Sequence, residues 1–197
     1  CIYPKMAPQP LKEEYLLTGP LEETNQSYAI AKISGVKLIE ALREQYNRDY
    51  VSLMPTNLYG PGDNYDLETS HVLPAMIRKF HEAKLNNHSD VVLWGTGRPK
   101  REFLHVDDLA NAVVFALENK IEDSLYNVGS GEEITIKKLA EFIKEITGHK
   151  GNIIWDKSKP DGTLRKLMDS SKINSKSWRA LIELNKGIIN TYINYFS

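Results

Sequence analysis

Cysteine is almost absent from this sequence, and so is any apolar run long enough to span a membrane. The single thiol, Cys1, cannot form an intramolecular disulfide, which excludes a disulfide-stapled secreted domain. The first residues also show no signal-peptide pattern. Together these absences predict a cytoplasmic protein.

An excess of charge of one sign is also missing, because 25 basic residues nearly balance 26 acidic residues. No overall field would therefore attract nucleic acid or an anionic membrane, and any anionic ligand must be bound by local groups. Cysteine, histidine and carboxylate residues do not occur at the close spacing of a metal site, so no metal is expected.

A glycine-rich dinucleotide-binding motif is the third absence. Gly60 and Gly62 lie in a proline-containing loop, while Gly129 and Gly131 follow a strand too late in the chain to open a nucleotide-binding fold. The sequence also begins at Cys1 without a methionine and runs directly into a turn-rich stretch. We therefore expect the chain to lack the N-terminal, glycine-rich portion of such a fold.

Tyr28 and Lys32 form a Y-x-x-x-K spacing, which places a phenol and an ammonium one turn apart on the same face of a helix. A phenol ordinarily ionises near pH ~10, so it needs a nearby positive charge to exchange protons with a carbonyl at neutral pH. Lys32 is placed to supply that charge. Taken alone, the spacing is more often a surface pair.

The pattern of the chain predicts an α/β fold. A helix from 26 to about 47, a strand at 50–54 and a loop at 55–58 form half of a doubly wound unit, in which ligands bind beyond the carboxyl ends of the strands. Asp107 and Asp108 are expected to cap a later helix and to carry no chemistry. The other predicted elements are helices at about 71–85, 107–119, 136–147 and 184–195, strands at 91–94, 101–106, 125–128 and 152–155, and a tight turn at 95–100.

Three ordered segments carry a family resemblance: Ser-Tyr-Ala-Ile-Ala-Lys at 27–32, Met-Pro-Thr-Asn-Leu-Tyr-Gly-Pro at 54–61, and Arg-Glu-Phe-Leu-His-Val-Asp-Asp at 101–108. Together they resemble the extended short-chain dehydrogenase/reductase family. Segments 1–5, 70–75 and 159–163 further resemble the members of that family that epimerise and then reduce a GDP-bound 4-keto sugar. The resemblance spans nearly the whole chain.

The resemblance implies the C-terminal part of a Rossmann-type doubly wound parallel sheet plus a smaller α/β substrate-binding domain. Residues 1–60 and 104–131 would belong to the NADP-binding Rossmann domain, and residues 61–103 and 132–197 to the domain that binds the GDP-sugar. It also implies a homodimer formed through the helix that carries Tyr28 and Lys32.

The resemblance also assigns roles to individual residues. Tyr28, assisted by Lys32, would donate a proton to the ketone oxygen, while Cys1 and His71 would exchange protons at the carbons beside it. Contacts to NADP(H) would come from Lys32, Pro55, Thr56, Asn57, Leu58 and His71. Contacts to the GDP-sugar would come from Lys79, Trp94, Arg101, Asp161 and Arg165. Lys79 departs from the arginine that is frequent at its position, which weakens the case for bidentate phosphate binding there.

Simpler interpretations of single residues remain open. A lone His71 is more often a cap or surface residue, Trp94 in a strand is ordinarily core, and Arg101 beside Glu102 is ordinarily a solvated pair. Three other functions also remain: an N-terminal nucleophile hydrolase that uses Cys1, a noncatalytic nucleotide-sugar binding module, and a different extended reductase or epimerase acting on another nucleotide sugar. The first of these leaves Tyr28 and Lys32 unexplained.

Overall fold

The computed structural model describes residues 2–196, without the side chain of Phe196, and these residues form two compact units. The first unit comprises the chain up to Thr56 together with 107–132 and 166–181, and the second comprises 57–106, 133–165 and the chain from Ile182 onward. Cys1 lies outside the described residues.

The α/β fold class expected from the sequence is confirmed, since helices alternate with mostly parallel strands. The helices are α1 (Gln26–Tyr46), α2 (Val72–Leu85), α3 (Val106–Glu118), α4 (Ile136–Thr147), α5 (Ser171–Asn174) and α6 (Leu184–Phe196), with short 3-10 turns at Glu13–Tyr15 and Glu23–Asn25. The strands are β1 (Ser52–Pro55), β2 (Asn57–Tyr59), β3 (Asp90–Trp94), β4 (Lys100–His105), β5 (Leu125–Val128), β6 (Glu133–Thr135), β7 (Asn152–Asp156) and β8 (Arg165–Lys166). Between residues 2 and 196, no helix has both the length and the apolar character needed to cross a membrane.

In the first unit, β1 and β5 pair in parallel, with Ser52 opposite Leu125 and Pro55 opposite Val128. Helix α1 buries Ile33 and Val36, and it is followed by Asn47, which adopts the left-handed conformation typical of a helix end. The remaining buried members of this core are Ile2, Tyr3, Leu11, Leu125 and Met168.

Residues 166–181 pack in the first unit, whereas the sequence-based boundaries grouped them with the substrate domain. Leu11 explains the difference, because its N–H donates to the carbonyl of Leu167 at 2.8 Å and its own carbonyl accepts from the N–H of Asp169 at 2.7 Å. These bonds join segments far apart in sequence, so local pattern did not reveal them.

In the second unit, β2 and β4 pair in parallel, β4 and β6 pair antiparallel, and β3 and β7 pair in parallel. The turn at 95–100 therefore joins two strands that do not pair with each other: β3 pairs with β7 instead of β4. Helices α2 and α4 supply most of the apolar core. Its fully buried side chains include Ile77, Phe80, Leu139, Ile143 and Ile188.

Residues 55–58 differ from the loop predicted for them. Strand β1 continues through Pro55, the N–H of Thr56 donates to the carbonyl of Val128 at 3.0 Å, and β2 starts at Asn57. Proline lacks an N–H, so Pro55 itself donates no ladder bond, and the next donor along the strand is the N–H of Thr56. The segment is therefore extended and hydrogen-bonded rather than a loop. It still lies at the carboxyl end of β1, where the sequence placed it.

Two helical glycines provide a matched test of packing. A Cβ built on Gly187 would collide with the hydroxyl of Tyr59, a residue only 2% exposed, whereas a Cβ on Gly35 would have nothing within 4 Å. We expect Gly187→Ala to lower the free energy of unfolding by about 1–3 kcal/mol through overpacking. Gly35→Ala should instead raise it by up to about 1 kcal/mol, because alanine favours the helical backbone.

Urea unfolding followed by circular dichroism measures both glycine variants. Equal effects of the two substitutions would contradict the packing described at Gly187.

Candidate active site

Tyr28 and Lys32 lie in the first turns of α1 on its outward face. Ala29 and Ile33 are buried on the opposite face, so the core holds the helix while leaving the phenol 54% exposed. The Lys32 Nζ lies 5.5 Å from the centroid of the Tyr28 ring. This places a cation beside an accessible phenol, as a proton donor to a carbonyl requires.

The predicted cofactor segment 55–58 is divided between the two units. Pro55 is the last residue of β1, and Pro55 and Thr56 belong to the first unit. Asn57 and Leu58 begin β2 and belong to the second unit. The side-chain amide of Asn57 donates to the carbonyl of Glu102 at 2.7 Å, so this residue also fastens β2 to β4. Its cofactor contact stays a prediction.

His71 lies immediately before α2 and is exposed. Its side chain makes no capping hydrogen bond to the helix, and its carbonyl accepts from the N–H of Ala75 at 3.1 Å. The imidazole is therefore not used as the helix cap that the simpler interpretation suggested. Cys1, its predicted partner in proton exchange, is outside the described residues.

Lys79 contacts β3 from α2, and Trp94 is the last residue of that strand. The Nζ of Lys79, on α2, donates to the carbonyl of Val92 at 3.2 Å. Trp94 is 65% exposed at the end of the strand, with the Nζ of Lys159 5.5 Å from the centroid of its ring. A tryptophan so exposed is not a core residue, and an exposed indole with a cation over its ring suits an aromatic or anionic ligand.

Arg101 stands near the start of β4 and is partly buried, while its neighbour Glu102 is fully buried. Burial lowers the pKa of the Arg101 guanidinium, and the nearby carboxylate of Asp161 opposes that shift. One guanidinium nitrogen donates to the carbonyl of Lys100 at 2.8 Å. A partly desolvated guanidinium gains strongly from an anionic oxygen, so Arg101 suits a phosphate.

Asp161 and Arg165, the other predicted substrate residues, are both held by protein groups. The carboxylate oxygens of Asp161 accept from the N–H of Thr96 at 2.6 Å and from its hydroxyl at 2.7 Å. The Nε of Arg165 donates to Glu133 at 2.7 Å, and the Nζ of Lys100 donates to the same carboxylate at 2.8 Å. Substrate contact by either residue stays a prediction.

The sequence analysis did not identify Thr96 as the partner of Asp161 or Glu133 as the partner of Arg165. It also did not place Lys159 beside Trp94. A signal existed for Thr96, because it lies between Gly95 and Gly97, whose φ angles of +80° and +73° mark a turn that glycine favours. Glu133 offered no such signal, since Lys100 is brought to it by the pairing of β4 with β6 and Arg165 by the pairing of β8 with β4.

Asp108 does more than cap a helix. Asp107 and Asp108 both lie in the first turn of α3, as predicted, but Asp108 is buried and one of its oxygens accepts from the N–H of Leu181 at 3.0 Å. It therefore anchors a distant segment of the first unit. Within the described part of the chain, no group of three or more histidine, cysteine or acidic residues is arranged to hold a metal ion.

The chain is similar to several known proteins. Residues 1–129 match the family model described as the NAD dependent epimerase/dehydratase family. A probable GDP-L-fucose synthase 1 of Oryza sativa subsp. japonica is 59% identical over 192 residues, which cover 98% of this chain and 58% of that protein. The GDP-L-fucose synthase of Escherichia coli (strain K12) is 51% identical over 201 residues, covering 98% and 63% respectively.

A solved structure is also similar. The crystal structure of a GDP-L-fucose synthetase from Naegleria fowleri bound to NADP superposes with a TM-score of 0.92 at 29% identity, covering 100% of this chain and 63% of that one. The chain thus spans about three fifths of the length of the relatives it matches.

The contacts of Glu133 with Arg165 and Lys100 predict how the stability of the protein depends on pH. Hydrogen bonds from Arg165 and Lys100 lower the pKa of the Glu133 carboxyl, so its stabilising contribution is present above its unfolded-state pKa and is lost as the pH falls through the folded value. Glu133→Gln should therefore be less stable than wild type at neutral pH. The difference should shrink as the pH is lowered below about 4.5.

Thermal unfolding between pH 7 and pH 3 measures this effect, with the exposed neighbour Glu132→Gln as the control. A stability difference that stays constant over this range would contradict the ion-pair cluster.

Proposed function

The chain belongs to the NAD dependent epimerase/dehydratase family, and from that premise we propose that it carries part of the active site of a GDP-L-fucose synthase. In the proposed reaction, GDP-4-keto-6-deoxymannose is epimerised at carbons 3 and 5 and its ketone is then reduced. The outward-facing Tyr28 with Lys32 beside it is the observation that carries this proposal. Close relatives named GDP-L-fucose synthase support the choice of substrate.

The residues present fit an NADP(H) site. Lys32 is exposed, and its ammonium can hydrogen-bond a ribose hydroxyl. Pro55 ends the parallel strand β1 and Thr56 comes directly after it. Nucleotide ligands bind at this carboxyl end of the strands in open α/β sheets. When bound, NADPH supplies the hydride for the reduction.

Tyr28 would protonate the ketone oxygen as the carbonyl carbon is reduced. The Lys32 Nζ lies 5.5 Å from the centroid of the Tyr28 ring, so a positive charge would stand close to the group that donates the proton. Burial of Ala29 and Ile33 fixes the helix that carries both side chains, so the two groups keep their spacing during the reaction.

Proton exchange at the two flanking carbons would use Cys1 and His71. A thiol and an imidazole both exchange protons near neutral pH, and the exposed imidazole of His71 is free of a helix-capping bond. Two such groups are what inversion at two carbons requires, whereas a simple 4-epimerase has no need of them.

The GDP end would be bound by the second unit. Arg101 and Lys79 supply cations for the diphosphate, and the open face of Trp94 can stack on the base or the sugar. Because these residues lie in one unit, the same observation favours a second candidate, a noncatalytic module that binds a nucleotide sugar.

The proposal includes a homodimer and a cytoplasmic location. Ile30 and Leu38, on the same helix as Tyr28, are 52% and 59% exposed, which favours a helix face that packs against a second copy. The single cysteine suits a reducing compartment in which NADPH is available.

Turnover in the protein as encoded, including any residues before Cys1, tests the proposed function. NADPH oxidation should depend on GDP-4-keto-6-deoxymannose, and Tyr28→Phe should lower kcat by at least about 100-fold, the scale of general acid catalysis. Tyr46→Phe, an exposed tyrosine at the end of the same helix, is the matched control and should retain wild-type kcat.

The outcomes of this assay separate the two candidate functions. Full activity in Tyr28→Phe would rule out the phenol as the proton donor. GDP binding without any NADPH oxidation would favour the noncatalytic module.

Epimerisation can be followed separately by deuterium wash-in at carbons 3 and 5. Cys1→Ser or His71→Asn should slow wash-in by at least about 100-fold, because each variant removes one proton-exchanging group. Hydride transfer to an already epimerised 4-keto substrate should change much less. His88→Asn, at an exposed histidine outside the proposed site, serves as the control, and unchanged wash-in in the first two variants would remove both residues from their roles.

A further inference from the structure

We infer that Asp66 is a positioning residue for His71: its carboxylate closes the loop formed by residues 64–70, and this loop fixes the backbone from which the imidazole extends. The inference rests on the proposed function, in which His71 exchanges protons with the sugar. It concerns only residues of the second unit.

The hydrogen bonds of the Asp66 side chain close the loop. Its Oδ1 accepts from the N–H of Glu68 at 3.1 Å, from the N–H of Thr69 at 2.9 Å and from the Thr69 hydroxyl at 2.9 Å. These bonds, that of the Thr69 hydroxyl first, lower the pKa of the Asp66 carboxyl. An aspartate that bonds to backbone groups two and three residues later holds the chain in a turn. One carboxylate oxygen thus gathers three donors of the loop.

Asn64 braces the same loop from its other side. Its side-chain oxygen accepts from the N–H of Asp66 at 3.0 Å, and its side-chain amide donates to the Thr69 hydroxyl at 2.9 Å. The Thr69 hydroxyl therefore donates to Asp66 and accepts from Asn64 at the same time. These bonds hold Thr69, which lies two residues before His71, from two directions.

The backbone carries this constraint from the loop to His71. The N–H of Ser70 donates to the carbonyl of Asp66 at 2.9 Å, and the carbonyl of His71 accepts from the N–H of Ala75 at 3.1 Å. The Ser70 hydroxyl is buried and has no hydrogen-bond partner in the described part of the chain. The Ser70 backbone, and not its side chain, thus links the loop to the start of α2.

Two contacts fasten the loop to the rest of the second unit. Arg78, seven residues after His71 on α2, donates from one guanidinium nitrogen to the carbonyl of Tyr65 at 3.0 Å, and its Nε donates to Glu82 at 2.7 Å. The ring of Tyr65 packs on that of Tyr195, a residue of α6, with their centroids 4.1 Å apart. The loop therefore has a fixed place against the helix that His71 precedes.

The proposed chemistry depends on where the imidazole stands. Proton exchange at a carbon requires a close approach of the two reacting groups, and a misplacement of about 1 Å can cost roughly 100-fold in rate. The His71 side chain is exposed and makes no capping bond to α2. Its placement is consequently sensitive to the backbone at residues 70 and 71, which the Asp66 loop holds.

Deuterium wash-in at carbons 3 and 5 of GDP-4-keto-6-deoxymannose, measured with the protein as encoded, tests the inference. Asp66→Ala should slow wash-in by about tenfold, because the loop loses three hydrogen bonds and His71 loses its fixed position. Asp66→Asn should stay within about threefold of wild type, since an amide oxygen can accept the same three bonds.

Two further measurements distinguish positioning from a general loss of structure. Hydride transfer to an already epimerised 4-keto substrate should change by less than about twofold in Asp66→Ala, because that step does not use His71. In a chain that already carries His71→Asn, adding Asp66→Ala should cause no further loss of wash-in, because Asp66 acts through the missing imidazole.

The second unit offers two control substitutions. Asp90→Ala removes another exposed carboxylate, which accepts from the hydroxyl of Ser89 at 3.0 Å and from the side-chain amide of Asn152 at 3.1 Å at the start of β3. Ser70→Ala removes the hydroxyl that makes no hydrogen bond within the described residues, directly beside His71. Both variants should keep the wild-type rate of wash-in.

The outcomes separate the inference from the proposed function. A wild-type protein that shows no wash-in, or a His71→Asn variant that exchanges as fast as wild type, would overturn the proposed role of His71 and the inference with it. If His71→Asn is slow, wild-type wash-in in Asp66→Ala would overturn the positioning role alone. An equal loss in Asp66→Asn, an equal loss of hydride transfer, or a further loss in the double variant would also overturn that role.

Discussion

Parallel pairing between strands far apart in the chain is the constraint on which both units depend. Ser52 pairs with Leu125, Asn57 with Phe103, and Asp90 with Asn152, so each pair encloses at least one helix in the connection. Closing such long loops costs conformational entropy, which the buried helix faces offset by removing apolar surface from water. In the second unit, α2 and α4 do this with side chains that are almost completely buried.

These cores also determine which groups remain available for chemistry. Ala29 and Ile33 hold α1 by one face, and the other face presents Tyr28 and Lys32. In the second unit, β3 buries Val91 and Leu93 and leaves Trp94 exposed at its end, which follows from the alternation of side chains along a strand. The candidate ligand-binding residues therefore arise from the same periodicity that builds the core.

The roles of polar side chains were predicted less well from the sequence than those of apolar side chains. The sequence predicted ligand contacts for Asp161 and Arg165 and only a capping role for Asp108, yet each of the three holds a protein partner: Thr96, Glu133 and the N–H of Leu181, respectively. A partly buried ionised side chain needs a hydrogen-bond donor or acceptor from the protein, because burial without such a partner is unfavourable. Several charged residues predicted to bind the ligand thus also hold loops and strands in place, and the hydrogen bonds of Arg101 and Lys79 to backbone carbonyls leave their charges without an anionic hydrogen-bond partner in these bonds.

The sequence by itself determined the features that depend on neighbours a few residues away. Apolar spacing located α1, α2, α4 and α6, the Tyr28 and Lys32 spacing defined the candidate proton donor, and three ordered segments indicated the family. Only the tertiary structure decided that β3 pairs with β7, that residues 166–181 join the first unit, and that Asp161 clamps Thr96. The physical reason is range: helix periodicity and turns are set by local contacts, whereas strand partners and buried hydrogen bonds depend on which distant surfaces meet when the cores close.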